Sequence, residues 1–215
     1  MMKKILSLLL ALALTLSLAF AFTSCGDGDD GEAAKPTHVE MMFKANDNGT
    51  YGKIVIELDY ESAPETAENF VNLVEAGFYD GLTIFRSVKN TLIQGGCPNG
   101  DGTGNSVTTI PGEFSANGYE GNELLHRRGV ISMARPDGED NYNGASCQFF
   151  IVTSDVGGYT FDGYYAAFGK VVEGMEVVDE ILDTTYSCGD DTGVFRLDSY
   201  KVEIEYARVL ENYGE

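Results

Sequence analysis

The chain of 215 residues contains no tryptophan, only two histidines and few basic residues. Its 14 lysines and arginines stand against 34 aspartates and glutamates, which gives a formal net charge of −20 at pH 7. A surface this acidic repels phosphate backbones, so nucleic acid is not expected as a partner. His38 and His126 are isolated in the sequence, and a lone histidine is more often a hydrogen-bonded structural residue than a ligand or base.

Familiar catalytic motifs are absent as well. The sequence has no Gly-x-Ser-x-Gly elbow, no His-Glu-x-x-His pair and no Walker loop. The glycine-rich stretch 95–105 is followed by neither a lysine nor a helix start that would hold a phosphate, so it predicts a tight loop. Cys147 has no base beside it and is interpreted as a small buried residue. We therefore expect neither a metal nor a cofactor.

Residues 1–24 have the architecture of a secretory signal. Two lysines precede an uncharged run rich in leucine and alanine, and small residues stand directly before Cys25. This order is similar to a bacterial lipobox, which predicts lipid attachment at Cys25 and an extracytoplasmic lipoprotein anchored to the bacterial cell membrane. A plain cleaved signal and an uncleaved membrane-spanning helix are the alternatives.

Residues 25–37 contain glycine and acidic residues but no large apolar side chain. Such a segment cannot bury enough surface to fold, so it predicts a flexible acidic tether before a domain over residues 38–212. Loss of Lys3 and Lys4 with the signal would leave a net charge of about −22. That charge would keep the domain off an anionic membrane surface, so the lipid would provide the attachment. The remaining length suits one core, and we expect a monomer.

Three cysteines remain once Cys25 is set aside: Cys97, Cys147 and Cys188. Outside the cytoplasm, this odd number allows at most one internal disulfide and leaves at least one thiol over. The sequence does not specify which pair, if any, is joined.

The spacing of apolar residues predicts many short strands and two helices. Residues 38–45 and 52–59 alternate on either side of an Asn-Gly turn signal, which predicts a hairpin. Residues 62–81 change to helical spacing, with Ser62 as the expected cap and Gly77 at the expected end. A second helix is expected over residues 174–185, and six other short runs predict strands. Many strands with two helices favour a closed antiparallel barrel, which has no exposed strand edge.

Arg86 is the unusual residue among these strands. It lies in the apolar segment 83–96, and the ten residues after it include no acidic residue, histidine or cysteine that could act with it. A guanidinium without a nucleophile or base beside it suits chemistry that needs a hydrogen-bond donor alone.

Six segments carry a resemblance to a known family. In their order and spacing, they resemble the cyclophilin family of peptidyl-prolyl isomerases over nearly all of residues 39–209; the segments are APETAENFVNLVEAGFYDG, FRSVKNTLIQGG, IPGEF, GVISMAR, SCQFFIVTS and FDGYYAAFGKVVEGMEVVDEI. The resemblance implies a closed eight-stranded antiparallel β-barrel capped by two α-helices. It also implies activity on proline-containing segments of unfolded or exported proteins, without a cofactor.

The resemblance makes Arg86 the expected catalytic residue. Rotation of an X–Pro amide breaks no σ bond and needs no nucleophile, but it crosses a resonance barrier of about 18–20 kcal/mol. A guanidinium that hydrogen-bonds the prolyl nitrogen would localise the nitrogen lone pair and weaken the C–N double-bond character. Arginine is charged at every physiological pH, so it can always donate.

The other groove positions follow residue by residue. Phe150 would form the floor of the proline pocket with Leu92 beside it. Gln94 and Gln148 would meet the peptide backbone, and Arg135 stands where many members have asparagine. The complete set of implied substrate-binding residues is Leu92, Gln94, Gly102, Ala134, Arg135, Gln148, Phe150, Phe161 and Tyr165.

Four positions depart from the residues that the family commonly has. Thr91 replaces a pocket phenylalanine, Phe161 replaces a leucine, Tyr165 replaces a histidine and Thr160 replaces a tryptophan at the rim. The proline pocket is therefore expected to be wider or re-lined.

The predicted function is a peptidyl-prolyl cis-trans isomerase that assists the folding of exported proteins. The alternative is a catalytically weak cyclophilin-like module that binds peptide or protein.

Overall fold

Eight strands close into an antiparallel barrel in the computed structural model, which describes residues 35–45, 50–186, 202–211 and 213–214. Around the barrel their order is β1-β2-β7-β5-β6-β4-β3-β8. The strands are β1 (His38–Ala45), β2 (Thr50–Leu58), β3 (Thr83–Val88), β4 (Leu92–Cys97), β5 (Val130–Met133), β6 (Phe149–Val152), β7 (Ala166–Glu173) and β8 (Val202–Leu210). The prediction of a closed eight-stranded antiparallel barrel is confirmed.

The first two strands form the predicted hairpin. They pair in antiparallel orientation from His38↔Glu57 to Lys44↔Thr50, whereas the Asn-Gly turn signal falls outside the described residues. The barrel belongs to one compact unit, Lys35–Glu215. The predicted signal, the predicted lipid-attachment residue Cys25 and most of the predicted tether also lie outside the described residues.

Three α-helices accompany the barrel in the described residues: α1 (Pro64–Glu75), α2 (Asp155–Gly158) and α3 (Met175–Tyr186). The long helices α1 and α3 are the two that the sequence predicts. Phe70 and Val74 of α1 and Val178 and Ile181 of α3 are buried in the barrel core, as their helical spacing requires. Gly77 ends α1 with a φ of 65°, a left-handed conformation that glycine adopts without a steric penalty. No helix in the described part of the chain is long and apolar enough to cross a membrane.

The start of α1 differs from the prediction, because Ser62 does not cap it. The N-cap residue is Ala63, which makes no side-chain cap hydrogen bond, and the Ser62 hydroxyl donates instead to Asp59 Oδ2 at 2.9 Å. The capping acceptor is the carboxylate of Glu113, 47 residues away from Thr66. Its oxygens accept from the amide of Glu65 at 3.0 Å and from the amide and hydroxyl of Thr66 at 2.8 and 2.6 Å. A negative charge at this end also complements the helix dipole.

We expect Glu113→Gln to lower the free energy of unfolding by about 1–3 kcal/mol, because Glu113 is buried and the amide would turn N–H groups toward the helix N–H donors. Urea denaturation followed by circular dichroism measures the loss. The matched control is Glu68→Gln on the exposed side of the same helix, whose ion pair with Lys35 is solvent-accessible and worth less than about 1 kcal/mol. Equal stability of the two variants would contradict the capping role of Glu113.

Strand alternation separates the barrel core from a groove on the outer face. Ile93, Ile151 and Ile131 point inward and are fully buried in the main core. Their neighbours Leu92 and Phe150 belong to a second, smaller apolar cluster that also contains Val152. Because successive side chains of a strand point to opposite faces, this second cluster forms on the outside of the barrel wall.

Candidate active site

One row of paired residues crosses the outer face of four neighbouring strands. The register pairs Arg86 of β3 with Gln94 of β4, Gln94 with Phe150 of β6, and Phe150 with Ser132 of β5. Directly paired residues of antiparallel strands point to the same face. The barrel therefore brings a guanidinium, an amide and an aromatic ring side by side, although they are distant in the sequence.

Arg86 is held by a directional line of hydrogen bonds. Its Nη1 donates to Gln94 Oε1 at 3.0 Å, and Gln94 Nε2 donates to Gln148 Oε1 at 3.1 Å. Among the described residues, Arg86 has no carboxylate partner in an ion pair and donates no other hydrogen bond. Because a guanidinium carries five N–H donors, most of them remain for a ligand.

The line ends at the glycine-rich loop, which we call the rim loop (residues 98–104). Gln148 Nε2 donates to the carbonyl oxygens of Gly102 at 3.0 Å and Gly104 at 2.8 Å, so both of its N–H groups are used. Gln148 thus offers a peptide the remaining lone pair of Oε1. Gly102 has a φ of 87°, and a Cβ there would lie 3.2 Å from the ring of Phe85, so glycine is required on both counts.

The small cluster outside the barrel forms an aromatic pocket floor. Phe150 is 2% exposed, and its ring centroid lies 4.9 Å from that of Phe161 and 5.6 Å from that of Tyr165. Leu92 and Ala134 belong to the same cluster. Burial raises the pKa of Tyr165, and the positive charges of Arg135 and Arg86 oppose this shift.

The two threonines at positions where the family commonly has aromatic residues add no ring to the pocket. Thr91 is partly buried, and its hydroxyl donates to the backbone carbonyl of Lys89, so it adds no aromatic surface. Thr160 is exposed and its hydroxyl donates to the Gly157 carbonyl. The rings of Phe161 and Tyr165 lie 5.4 Å apart in an edge-to-face arrangement and supply aromatic surface to the pocket.

Arg135 contacts two aromatic rings and several backbone carbonyl groups of the protein. Its guanidinium lies 4.7 Å from the Tyr165 ring and 4.8 Å from the Tyr142 ring. Nε donates to the Tyr164 carbonyl at 3.1 Å, and Nη1 donates to the Pro136 carbonyl at 2.9 Å. Arg135 therefore lies at the edge of the groove and packs against Tyr165, and its contact with a substrate stays a prediction.

A cavity of about 290 Å³ lies beside the pocket and extends the groove. The predicted residues Gln94, Gly102, Ala134, Arg135 and Gln148 line it. Sequence reasoning missed its other lining residues, although each lies within three positions of a predicted one; they are Thr103, Asn105 and Pro136. A mixed lining of amide, hydroxyl and apolar groups suits a peptide side chain next to the residue in the pocket.

Behind the pocket floor, His126 is buried at 1% exposure and uses both ring nitrogens. Nδ1 lies 3.0 Å from Asp162 Oδ1, and Nε2 lies 3.0 Å from Ser132 Oγ. The imidazole stacks on Phe150 with an interplanar angle of 13° and a centroid distance of 5.9 Å. Sequence reasoning interpreted His126 as a hydrogen-bonded structural residue, and the structure agrees; its place under the pocket depends on long-range pairing.

Protonation of His126 is expected to destabilise the fold. Burial lowers the pKa of His126 below 6.5, although its hydrogen bond and ion pair with Asp162 oppose the shift. Between that lowered pKa and about 6.5, the unfolded chain binds more protons than the folded chain, so stability must fall as the pH falls through this window. Each unit of pKa depression corresponds to about 1.4 kcal/mol.

Thermal unfolding between pH 7 and pH 5 measures this dependence. We expect the midpoint of the wild-type protein to fall as the pH is lowered. The variant His126→Gln should be less stable at pH 7 but should lose less on acidification. The same slope in His126→Gln and wild type would rule out His126 as its source.

These residues supply hydrogen-bond donors and acceptors beside an apolar pocket. In the part of the chain that the structure describes, no group of three or more histidine, cysteine or acidic side chains is arranged to hold a metal ion. A guanidinium, two amides and an aromatic floor on the outside of a closed barrel can receive an apolar ring and offer hydrogen bonds beside it.

Comparison with known proteins shows which family this chain belongs to. The family model of the cyclophilin type peptidyl-prolyl cis-trans isomerase/CLD matches residues 41–200. Peptidyl-prolyl cis-trans isomerase B of Bacillus subtilis is 44% identical over 124 residues, which cover 58% of this chain and 79% of the relative. Peptidyl-prolyl cis-trans isomerase A of Dickeya dadantii is 38% identical over 152 residues, which cover 69% of this chain and 73% of the relative. The chain belongs to the cyclophilin-type peptidyl-prolyl cis-trans isomerases.

Solved structures support the same assignment. A cyclophilin type peptidyl-prolyl cis-trans isomerase of Cryptosporidium parvum superimposes with a TM-score of 0.67 at 27% identity, covering 83% of this chain and 99% of that one. A second structure of that protein, in the presence of the dipeptide Ala-Pro, gives a TM-score of 0.65 at 27% identity. The fold and the family thus agree, and the predicted isomerase class is confirmed.

Proposed function

We propose that this isomerase acts outside the cytoplasm, where it accelerates cis–trans exchange of X–Pro bonds in exported proteins. Newly exported chains begin with some X–Pro bonds in the wrong isomer, and uncatalysed exchange takes tens to hundreds of seconds. An enzyme that shortens this step would speed the folding of such chains. The observation that carries the catalytic part is the line from Arg86 through Gln94 to Gln148 beside the Phe150 floor.

Arg86 is the proposed catalytic residue. With the proline ring on Phe150, a free N–H of Arg86 would donate to the prolyl nitrogen as its lone pair leaves conjugation with the carbonyl. Gln94 holds the guanidinium from the side, so little reorganisation is needed when the amide twists. The donor stabilises the twisted state more than either planar state, which is what lowers the barrier.

The remaining groove residues have proposed binding roles. Leu92, Phe161 and Tyr165 would enclose the proline ring together with Phe150. Ala134 borders both the pocket and the adjoining cavity, where Gly102 and Arg135 would receive the preceding residues of the peptide. Gln94 and Gln148 lie between these two regions and would meet the peptide backbone.

A proline-peptide exchange assay tests the function directly. The alternative function is that of a barrel that binds peptide with little turnover. Thr91 and Thr160 favour this alternative because they remove aromatic surface. Exchange accelerated well above the spontaneous rate supports the isomerase. Peptide binding by calorimetry without acceleration supports the binding module.

The lipoprotein proposal rests on the sequence before the tether. We expect the mature chain to begin at Cys25 with a thioether-linked lipid, and Cys25→Ser to be released from membranes because one residue carries the anchor. Mass spectrometry of the native N-terminus and membrane fractionation measure the two outcomes. A mature start downstream of Cys25, or an intact Met1, would refute lipid attachment.

A further inference from the structure

Arg135 is enclosed by aromatic rings from three separate segments of the chain. The central carbon of its guanidinium lies 4.7 Å from the ring centroid of Tyr165, 4.8 Å from that of Tyr142 and 5.5 Å from that of Phe114. All three distances fall within the range of about 6 Å in which a guanidinium is attracted to an aromatic ring. The three rings lie outside the eight strands, so the strand ladders do not fix them directly.

The same guanidinium also joins two backbone segments. Its Nε donates to the carbonyl oxygen of Tyr164 at 3.1 Å, and its Nη1 donates to those of Pro136 at 2.9 Å and Gly138 at 3.2 Å. The first contact holds the residue before Tyr165, and the other two hold the start of the segment that leads to Tyr142. A planar guanidinium can donate hydrogen bonds in its plane and stack on rings with its faces, which an ammonium group cannot do.

Tyr165 connects this arrangement to the proposed proline pocket. Its ring centroid lies 5.6 Å from that of Phe150 and 5.4 Å from that of Phe161, and both pairs are edge-to-face. Burial raises the pKa of Tyr165 and the positive charge of Arg135 opposes this shift, as expected for a cation beside a phenol. Tyr165 is therefore in contact with both the guanidinium and the pocket rings.

We propose that Arg135 is a positioning residue, which fixes Tyr165 as a wall of the substrate pocket and holds the backbone of Pro136 at the lining of the adjoining cavity. This role rests on the proposed function, because it concerns the pocket that receives the proline. Without the guanidinium, Tyr165 would be free to turn away from Phe150. Peptide binding would then have to order the ring again, and that ordering costs affinity.

A double-mutant cycle on peptide affinity tests this role, because residues that act through one another are not additive. Titration of the full-length chain with the blocked tetrapeptide Ala-Ala-Pro-Ala, followed by NMR, gives the dissociation constant for wild type, Arg135→Ala, Tyr165→Leu and the double variant. We expect Arg135→Ala alone to raise the dissociation constant about five-fold, the scale of one lost contact of this kind. In the Tyr165→Leu background it should raise the constant less than about two-fold, because the ring that it positions is absent. Losses of equal size in the two backgrounds would show direct contact with the peptide instead and would overturn the proposal.

Arg208 provides a matched control outside the groove. Its guanidinium lies 4.9 Å from the ring of Tyr206 and donates to Glu40 across the ladder between β1 and β8. Arg208→Ala removes an arginine held in a similar way, so it should change the dissociation constant less than about two-fold. An equal loss of affinity in Arg208→Ala and Arg135→Ala would assign the effect to general destabilisation and overturn the proposal. If Arg135→Ala does not fold by circular dichroism, Arg135→Gln replaces it in the cycle.

Exchange kinetics separate this role from the proposed function. Arg86 and Gln94 are unchanged in the variants, so Arg135→Ala should raise KM about five-fold while kcat changes less than about two-fold. A loss confined to kcat would contradict a positioning role in the pocket. Wild-type protein that binds the tetrapeptide without accelerating its exchange would overturn the proposed function, while the affinity cycle would still decide the role of Arg135.

Discussion

Arg86→Ala is expected to lower kcat/KM for proline-peptide exchange by about two orders of magnitude or more, which is the scale seen when one preorganised donor is lost. The fold should survive, because Arg86 lies on the outer face of the barrel wall and is only partly buried. Circular dichroism and thermal unfolding check the fold, and exchange kinetics check the rate. A folded Arg86→Ala variant that is as fast as wild type would show that the proposed mechanism is wrong.

Two companion variants separate donor geometry from charge. Arg86→Lys keeps the positive charge but loses the planar guanidinium that contacts Gln94 and the prolyl nitrogen together, so it should rescue little activity. Lys89→Ala removes an equal charge from an exposed position three residues away and should change the rate less than about two-fold. If Arg86→Lys restored the wild-type rate, the field of the charge would suffice and the donor geometry would not be needed.

Local sequence patterns predicted the elements that depend on local physics. The alternation of residues 38–45 and 52–59 predicted the hairpin of β1 and β2, and helical spacing predicted α1 and α3 to within a few residues of their bounds. In each case the apolar period is a property of consecutive residues. The single helical turn α2 (Asp155–Gly158) contains two glycines and no apolar stripe, so the spacing of apolar residues did not predict it.

Contacts between distant segments could not be predicted in this way. The cap of α1 shows why. Ser62 stands where a capping residue is expected, yet its hydroxyl donates a hydrogen bond to Asp59. The carboxylate of Glu113 caps the helix instead, from a segment far away in the sequence. The order of the strands is similarly non-local, since β7 lies between β2 and β5. Only the closed barrel decides which side chains meet.

The candidate site combines both kinds of information. The family resemblance selected Arg86, Gln94 and Gln148, and the barrel brings these three into one hydrogen-bonded line; their roles toward a substrate stay predictions. The support from His126 beneath Phe150 required the pairing of β5 with β6, which no local pattern contains. Residue identity thus indicated the chemistry, whereas long-range register determined the geometry.

Adjacent phenylalanines on β6 allow the pocket to be separated from the core. Phe149 points into the main core at 0% exposure, and Phe150 points into the outer cluster at 2% exposure. Each Phe→Ala change should cost about 3–5 kcal/mol of unfolding free energy, because each deletes a buried ring. Only Phe150→Ala also removes the proposed floor of the proline pocket.

We therefore expect Phe149 and Phe150 variants to differ in activity rather than in stability. The milder substitutions Phe149→Leu and Phe150→Leu keep the chain folded if the alanine variants unfold, since leucine retains much of the buried volume. Under conditions where both are folded by circular dichroism, Phe149→Leu should exchange a proline peptide near the wild-type rate. Phe150→Leu should lose about ten-fold in kcat/KM, because the ring face that receives the proline is gone. Equal losses in the two variants would mean that general destabilisation, and not a pocket on Phe150, controls the rate.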